Sequence, residues 1–208
     1  MHVYDPSKRP LHLNREKWTK NFRFDHLDEV GLALTQEVDR EKIPNFMEEI
    51  YSRFWQLGLL DYAGSQCVLM SAVLRRILRL HGYNAFIRQY VLFWERPDRG
   101  YSVSVGNPND DSPEGQLDAH VAVACEGFIL DFSQTQMINQ YGYSNPRAFI
   151  GLDDSKFHND YQSFGDYGVA CWTPARPANP IIKHWQFQQR EEEIRIVKDY
   201  FKRYDFGK

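Results

Sequence analysis

Hydrophobic positions along the chain follow a helical period first and an alternating period later. Phe46, Ile50, Phe54 and Leu57 recur at helical spacing within PNFMEEIYSRFWQLG. Pro44 suits the first helical position and Gly58 suits a C-terminal stop, so this stretch is predicted to be a helix. A second helix is predicted from Ser65 to Leu80, with Ser65 as N-cap and Gly82 just past the end. Its polar stripe is narrow: Ser71, Arg75, Arg76 and Arg79. Val68, Leu69, Met70, Val73, Leu74, Ile77, Leu78 and Leu80 cover the rest of the circumference. A helix so apolar all round is expected to be the buried, central helix of its domain.

Beyond Gly82 the pattern turns to strands. YNAFIRQYVLFWE, residues 83–95, is rich in β-branched and aromatic residues. Residues 96–118 read as a long loop bordering whatever follows. In AHVAVACEGFILDFSQTQ, two short strand-forming runs flank Glu126-Gly127, the signature of a hairpin. Residues 134–175, rich in Gly, Asn, Asp and Tyr, yield no assignment. IIKHWQFQ, 181–188, is expected to be another strand. REEEIRIVKDYFKRYDF is predicted as a C-terminal helix, with acids first and bases last to match its dipole. Residues 1–42 are polar and irregular and read as an N-terminal arm. Residues 43–208 read as a single α+β domain, with N-terminal helices and a buried central helix packed on an antiparallel sheet.

Composition narrows the class. A chain of 208 residues with 42% hydrophobic and 15% aromatic content can bury a sizeable core. Net charge is -3 and no basic block appears, so nucleic acid is not an expected partner. No apolar run approaches the roughly 20 residues of a membrane span, and the polar start lacks a signal-peptide core. The three cysteines, Cys67, Cys125 and Cys171, form no CxxC pair, which favours a reducing, cytoplasmic setting over a disulfide framework. The seven histidines show no metal-ligand spacing, so neither a metal nor another cofactor is expected. Oligomeric state is left open.

The hairpin carries the candidate chemistry. With a two-residue turn at Glu126-Gly127, one face holds His120, Ala122, Ala124, Ile129, Asp131 and Ser133. The other holds Val121, Val123, Cys125, Phe128, Leu130 and Phe132, and is expected to be core. A carboxylate inside an apolar strand needs a partner, because burying it alone costs several kcal/mol. His120 stands on the same face. Cys67, just behind GSQ at the start of the apolar helix, would complete a set if that helix start docked beside the small alanines. The helix dipole and an imidazolium would then favour the Cys67 thiolate. His120 would move the proton, and Asp131 would orient the ring. Free N–H groups at the helix start would hold an oxyanion, and Gln66 is a candidate side-chain donor to oxyanion or substrate. Each residue also has an ordinary reading: Cys67 as a small buried hydrophobe, His120 as a structural strand residue. Cys125 reads as core, Cys171 carries no base beside it, and His81 reads as a charge suited to a helix C-terminus.

The order of these residues resembles the transglutaminase-like branch of the papain-like cysteine enzymes. The resemblance lies in GSQCVLMSAVLRRILRLHGYNAFI and DAHVAVACEGFILDFSQTQ, within residues 64–134, about a third of the chain. It implies a papain-like/transglutaminase-like fold with Cys67, His120 and Asp131 as a triad. The implied activity is acyl transfer through a thioester, as peptidase, amidase or deamidase, on a peptide, protein or small amide. Val68 and Ala122 stand where that family often has a Trp and an aromatic, which points away from protein crosslinking. Arylamine N-acetyltransferases share the Cys-His-Asp order and form an alternative expectation. A non-catalytic protein-binding domain on the same scaffold is another.

Overall fold

The computed structural model describes residues 32–34, 38, 42–61, 66–96, 101–105, 120–133, 148–152, 162–163, 169–174 and 180–204. Strand β1 is Leu32–Leu34, helix α1 is Asn45–Gln56, and a single 3-10 turn spans Leu59–Asp61. Pro44 takes the N-cap of α1, one position earlier than predicted. Gly58, at φ 68, turns the chain after the helix. Helix α2 is Cys67–Leu80, with Gln66 rather than Ser65 at its N-cap. Its end is a Schellman motif. Gly82, at φ 82, donates its N–H to the Arg79 carbonyl, and Tyr83 donates to the Leu78 carbonyl, both at 2.9 Å.

The remaining strands are β2 (Ala85–Arg96), β3 (Tyr101–Val105), β4 (His120–Cys125), β5 (Phe128–Asp131), β6 (Ala148–Leu152), β7 (Gln162–Ser163) and β8 (Val169–Pro174). Two helices follow, α3 (Pro180–Gln188) and α4 (Arg190–Arg203). The strands form one eight-stranded sheet in the order β1-β6-β5-β4-β2-β8-β7, with β3 on the outer half of β2. Every pairing is antiparallel except β1 with β6. The class is therefore α+β.

Three expectations change. Part of the supposed arm belongs to the sheet: Leu32–Leu34 pair with β6, and Val38 is buried. The supposed long loop contains β3, whose Tyr-Ser-Val-Ser-Val alternates with the period of a strand; residues 97–100 and 106–119 lie outside the described set. Residues 181–188 are helical, not extended. Pro180 fits the first helical turn, and Ile182 and Trp185, three apart, meet one apolar cluster.

The core lies between α1, α2 and α4 on one side and one face of the sheet. Leu69, Met70, Val73, Leu74, Ile77 and Leu78 of α2 pack with Val123, Cys125, Leu130, Ala148 and Ile150. Cutting a fully buried side chain such as Leu74 to Ala costs about 2–5 kcal/mol. Ser71, the one polar residue in the buried part of α2, donates its hydroxyl to the Val121 carbonyl at 3.1 Å. Arg76 reaches the buried Glu193 of α4 at 2.5 Å. Arg53 of α1 donates to the Tyr200 hydroxyl and lies over the Tyr204 ring. His81 is buried against Tyr200 and Phe201, not displayed as a charge at the helix end. Burial first, and the Arg53 charge second, lower its pKa to about 4.

Candidate active site

The hairpin has the predicted register. Cys125 pairs with Phe128, Ala124 with Ile129 and Val123 with Leu130 across Glu126-Gly127. Both turn residues have positive φ, 52 and 84, as a type I′ turn requires. This register puts His120 and Asp131 on a common face, and their side chains meet. His120 Nε2 lies 2.6 Å from Asp131 Oδ2, with both side chains fully enclosed.

The docking of α2 differs from the expectation. The helix does not lie on the alanine-lined face; it packs on the opposite, apolar one, where large side chains give it a continuous surface. Cys67 and Val68 at its start share a cluster with Val121 and Ile182, and Ile87 and Trp185 pack against it. His120 precedes Val121 as the first residue of β4. From this position at the strand end its ring interacts with Cys67 as well as with Asp131. The His120–Asp131 pair thus sits at the end of a strand, with Cys67 on the His120 side, instead of over the alanine-lined face.

Asp131 is held from several directions. Ser133 donates its hydroxyl to Oδ1 at 2.8 Å and its backbone N–H to the same oxygen at 3.3 Å. Trp172 donates its indole N–H to Oδ2 at 3.1 Å. The Trp172 ring is itself set edge-on to Phe149, with centroids 5.8 Å apart. Burial pushes the Asp131 pKa up, but the His120 charge and the bonds from His120, Trp172 and Ser133 overcome this and lower it. Burial pushes His120 down, but the Asp131 charge and bond, aided by Cys67, hold it well above its usual range. The pair therefore favours carboxylate beside imidazolium. The Nε2 atom of the ring is the one directed at Asp131.

Sequence reasoning assigns no role to Trp172, because residues 134–175 show no clear period. The signal that points to it is indirect: a buried carboxylate calls for donors, and an indole is a donor only. Ser133 falls on the predicted face without a role, and its place two residues beyond Asp131 suits a local hydroxyl-to-carboxylate bond.

The α2 start carries the positive end of the helix dipole. The first intrahelical bond at this end runs from Met70 to the Gln66 carbonyl, and no acidic residue lies in the first turn. The first N–H groups of an α-helix have no acceptor within it. Gln66 is half-buried beside Cys67, and its enclosed side-chain oxygen makes no hydrogen bond among the described residues. The other candidates fall elsewhere. Cys125 is buried in the main core, where burial, and secondarily Glu126, push its thiol pKa up. Cys171 lies within β8, His184 is exposed on α3, and His158 lies outside the described residues. No described helix is long and apolar enough to cross a membrane.

No family model matches the sequence, and no curated protein matches it. Among solved structures it is similar to "The crystal structure of genomics APC5867", at 15% identity and a TM-score of 0.46. The similarity covers 74% of this chain and 73% of that one.

Proposed function

We propose that the protein is a cysteine-dependent acyl-transfer enzyme of papain-like/transglutaminase-like type, with Cys67 as nucleophile, His120 as proton carrier and Asp131 as orienting carboxylate. The observation that carries the reading is the enclosed His120–Asp131 pair, at 2.6 Å, whose ring also interacts with a cysteine at a helix N-terminus. A structural histidine would need none of these three features together.

On this reading the steps are as follows. With the proton already on His120 as imidazolium, the Cys67 sulfur attacks an acyl carbonyl carbon as thiolate, forming a C–S bond. The carbonyl electron pair moves to oxygen, and N–H groups at the α2 start, with Gln66 a further candidate, receive the charge. As the intermediate collapses, the bond to the leaving group breaks and His120 gives that group the proton. A thioester on Cys67 remains. Water or an amine then attacks it, losing a proton to His120, and the sulfur departs as thiolate beside the restored imidazolium. Asp131, fixed by Trp172 and Ser133, keeps the ring aligned throughout. A peptide, protein or small amide supplies the acyl group. A nucleophile that must stay reduced supports a reducing, cytoplasmic setting.

Turnover of an activated acyl ester tests the reading. Wild type is expected to show ester turnover that Cys67→Ala abolishes. Equal turnover by the two proteins overturns the assignment.

A further inference from the structure

The surroundings of Cys67 bear on which acyl group the site takes, an inference that rests on the proposed nucleophile. Cys67, Val68, Val121 and Ile182 are buried together, with Ile87 and Trp185 packed against them. Four elements, α2, β4, β2 and α3, contribute to this cluster, and every member besides Cys67 is apolar. A charged acyl group brought here loses its hydration without gaining a charged partner within the cluster.

Of these elements α3 is the one most able to yield. Strand β4 is paired on both sides and buried along its whole length. Helix α2 fills the core. Helix α3 spans nine residues, and Ile182 is its one buried side chain among the described residues. Trp185 is half-buried, and Lys183, His184, Phe187 and Gln188 are exposed, Phe187 at 72%. Cys67 is itself only 6% exposed, so an acyl group must displace part of this cover to reach it.

We propose that α3 is the adjustable acyl-side wall of the site, with Ile182 and Trp185 as specificity residues, and that the site selects uncharged, apolar acyl groups. The substrate lies with its apolar chain against Ile182 and Trp185, in place of their present contact with Cys67 and Val68.

The test compares acylation of Cys67 in the full chain by p-nitrophenyl hexanoate and by p-nitrophenyl hemisuccinate. Each rate is read by mass spectrometry and divided by the rate of the same ester with free N-acetylcysteine. The corrected preference for hexanoate is expected to be about tenfold or more, the scale set by an apolar pocket. Trp185→Lys should collapse that preference, and the exposed-site change Lys183→Ala should leave it unchanged. Thermal melts confirm that both variants fold, and Ile182→Val, a smaller change in the same wall, gives an independent reading if Trp185→Lys does not. A corrected ratio near one in wild type, or a preference unaltered in folded Trp185→Lys, overturns the specificity proposal. Labelling that persists in Cys67→Ala overturns the nucleophile reading instead, so the two failures are distinguishable.

Discussion

Asp131 receives bonds from His120, from Trp172, and from both the hydroxyl and the backbone N–H of Ser133. Its charge is the main cause that holds the His120 proton against burial. Asp131→Asn should therefore lower ester turnover by roughly two to four orders of magnitude. It should also move the alkaline limb of the rate profile to lower pH, because His120 loses the charge that raises its pKa. A pH profile with an unmoved limb would contradict the orienting role. Trp172→Phe keeps a ring against Phe149 but removes the indole donor. It is expected to cost about 1.5–3 kcal/mol in denaturant melts, the scale of a hydrogen bond to a charged group, together with a measurable loss of turnover. The His120–Asp131 pair was legible in the sequence because a carboxylate interrupts an apolar strand and calls for a partner on its own face. Trp172 obeys its local rule, as an aromatic in a strand, so its role emerges only when β8 is placed beside β2.

Helix α2 meets β4 through the hydroxyl of Ser71, which donates to the Val121 carbonyl one residue from His120. Ser71→Ala leaves that carbonyl without this bond, at a cost of about 1 kcal/mol. Chemical denaturation should show that loss, and turnover should fall too, since the same bond sets the helix start against the strand end. A stability loss with full turnover would mean that the Cys67–His120 approach does not depend on this contact. At this scale the sequence resolved α1, α2, β2, the hairpin and α4, where one period runs uninterrupted. It misassigned α3, where Ile181 and Ile182 stand side by side and mimic a strand while Ile182 and Trp185 carry the helical spacing. The hairpin register was legible, because alternation and a two-residue turn fix it. The side on which α2 docks was not. Small alanines suggested room, but the larger apolar face offers more buried contact.

Across the whole molecule, ionisation links the site to stability. The folded His120 pKa lies above its usual 6.5, so its contribution is complete below about pH 6.5 and is lost as pH rises through the elevated value. The folded Asp131 pKa lies below its usual 3.8, so its contribution is present above that pH and is lost on acidification through the lowered value. His81 acts from the core. Its folded value of about 4 lies below 6.5, so the unfolded chain binds a proton first and stability falls as pH drops between these values. Melting temperatures measured against pH should show His120→Gln flattening the alkaline decline and His81→Gln flattening the acid one. Slopes equal to wild type in both variants would contradict the two assignments. The α+β class was legible from the order of helical and alternating segments. The eight-stranded extent of the sheet was not, since β1, β6, β7 and β8 are short or lie in stretches without clear period. The central claim, a covalent acyl intermediate on Cys67, is tested most directly by acid-quenching the native protein during turnover of an activated acyl ester and mapping the added acyl mass by peptide mass spectrometry. The mass is expected on the Cys67 peptide, with Cys125 and Cys171 unmodified, and its accumulation is expected to fall sharply in His120→Ala. No acyl mass on Cys67, or an equal amount in His120→Ala, would contradict the account.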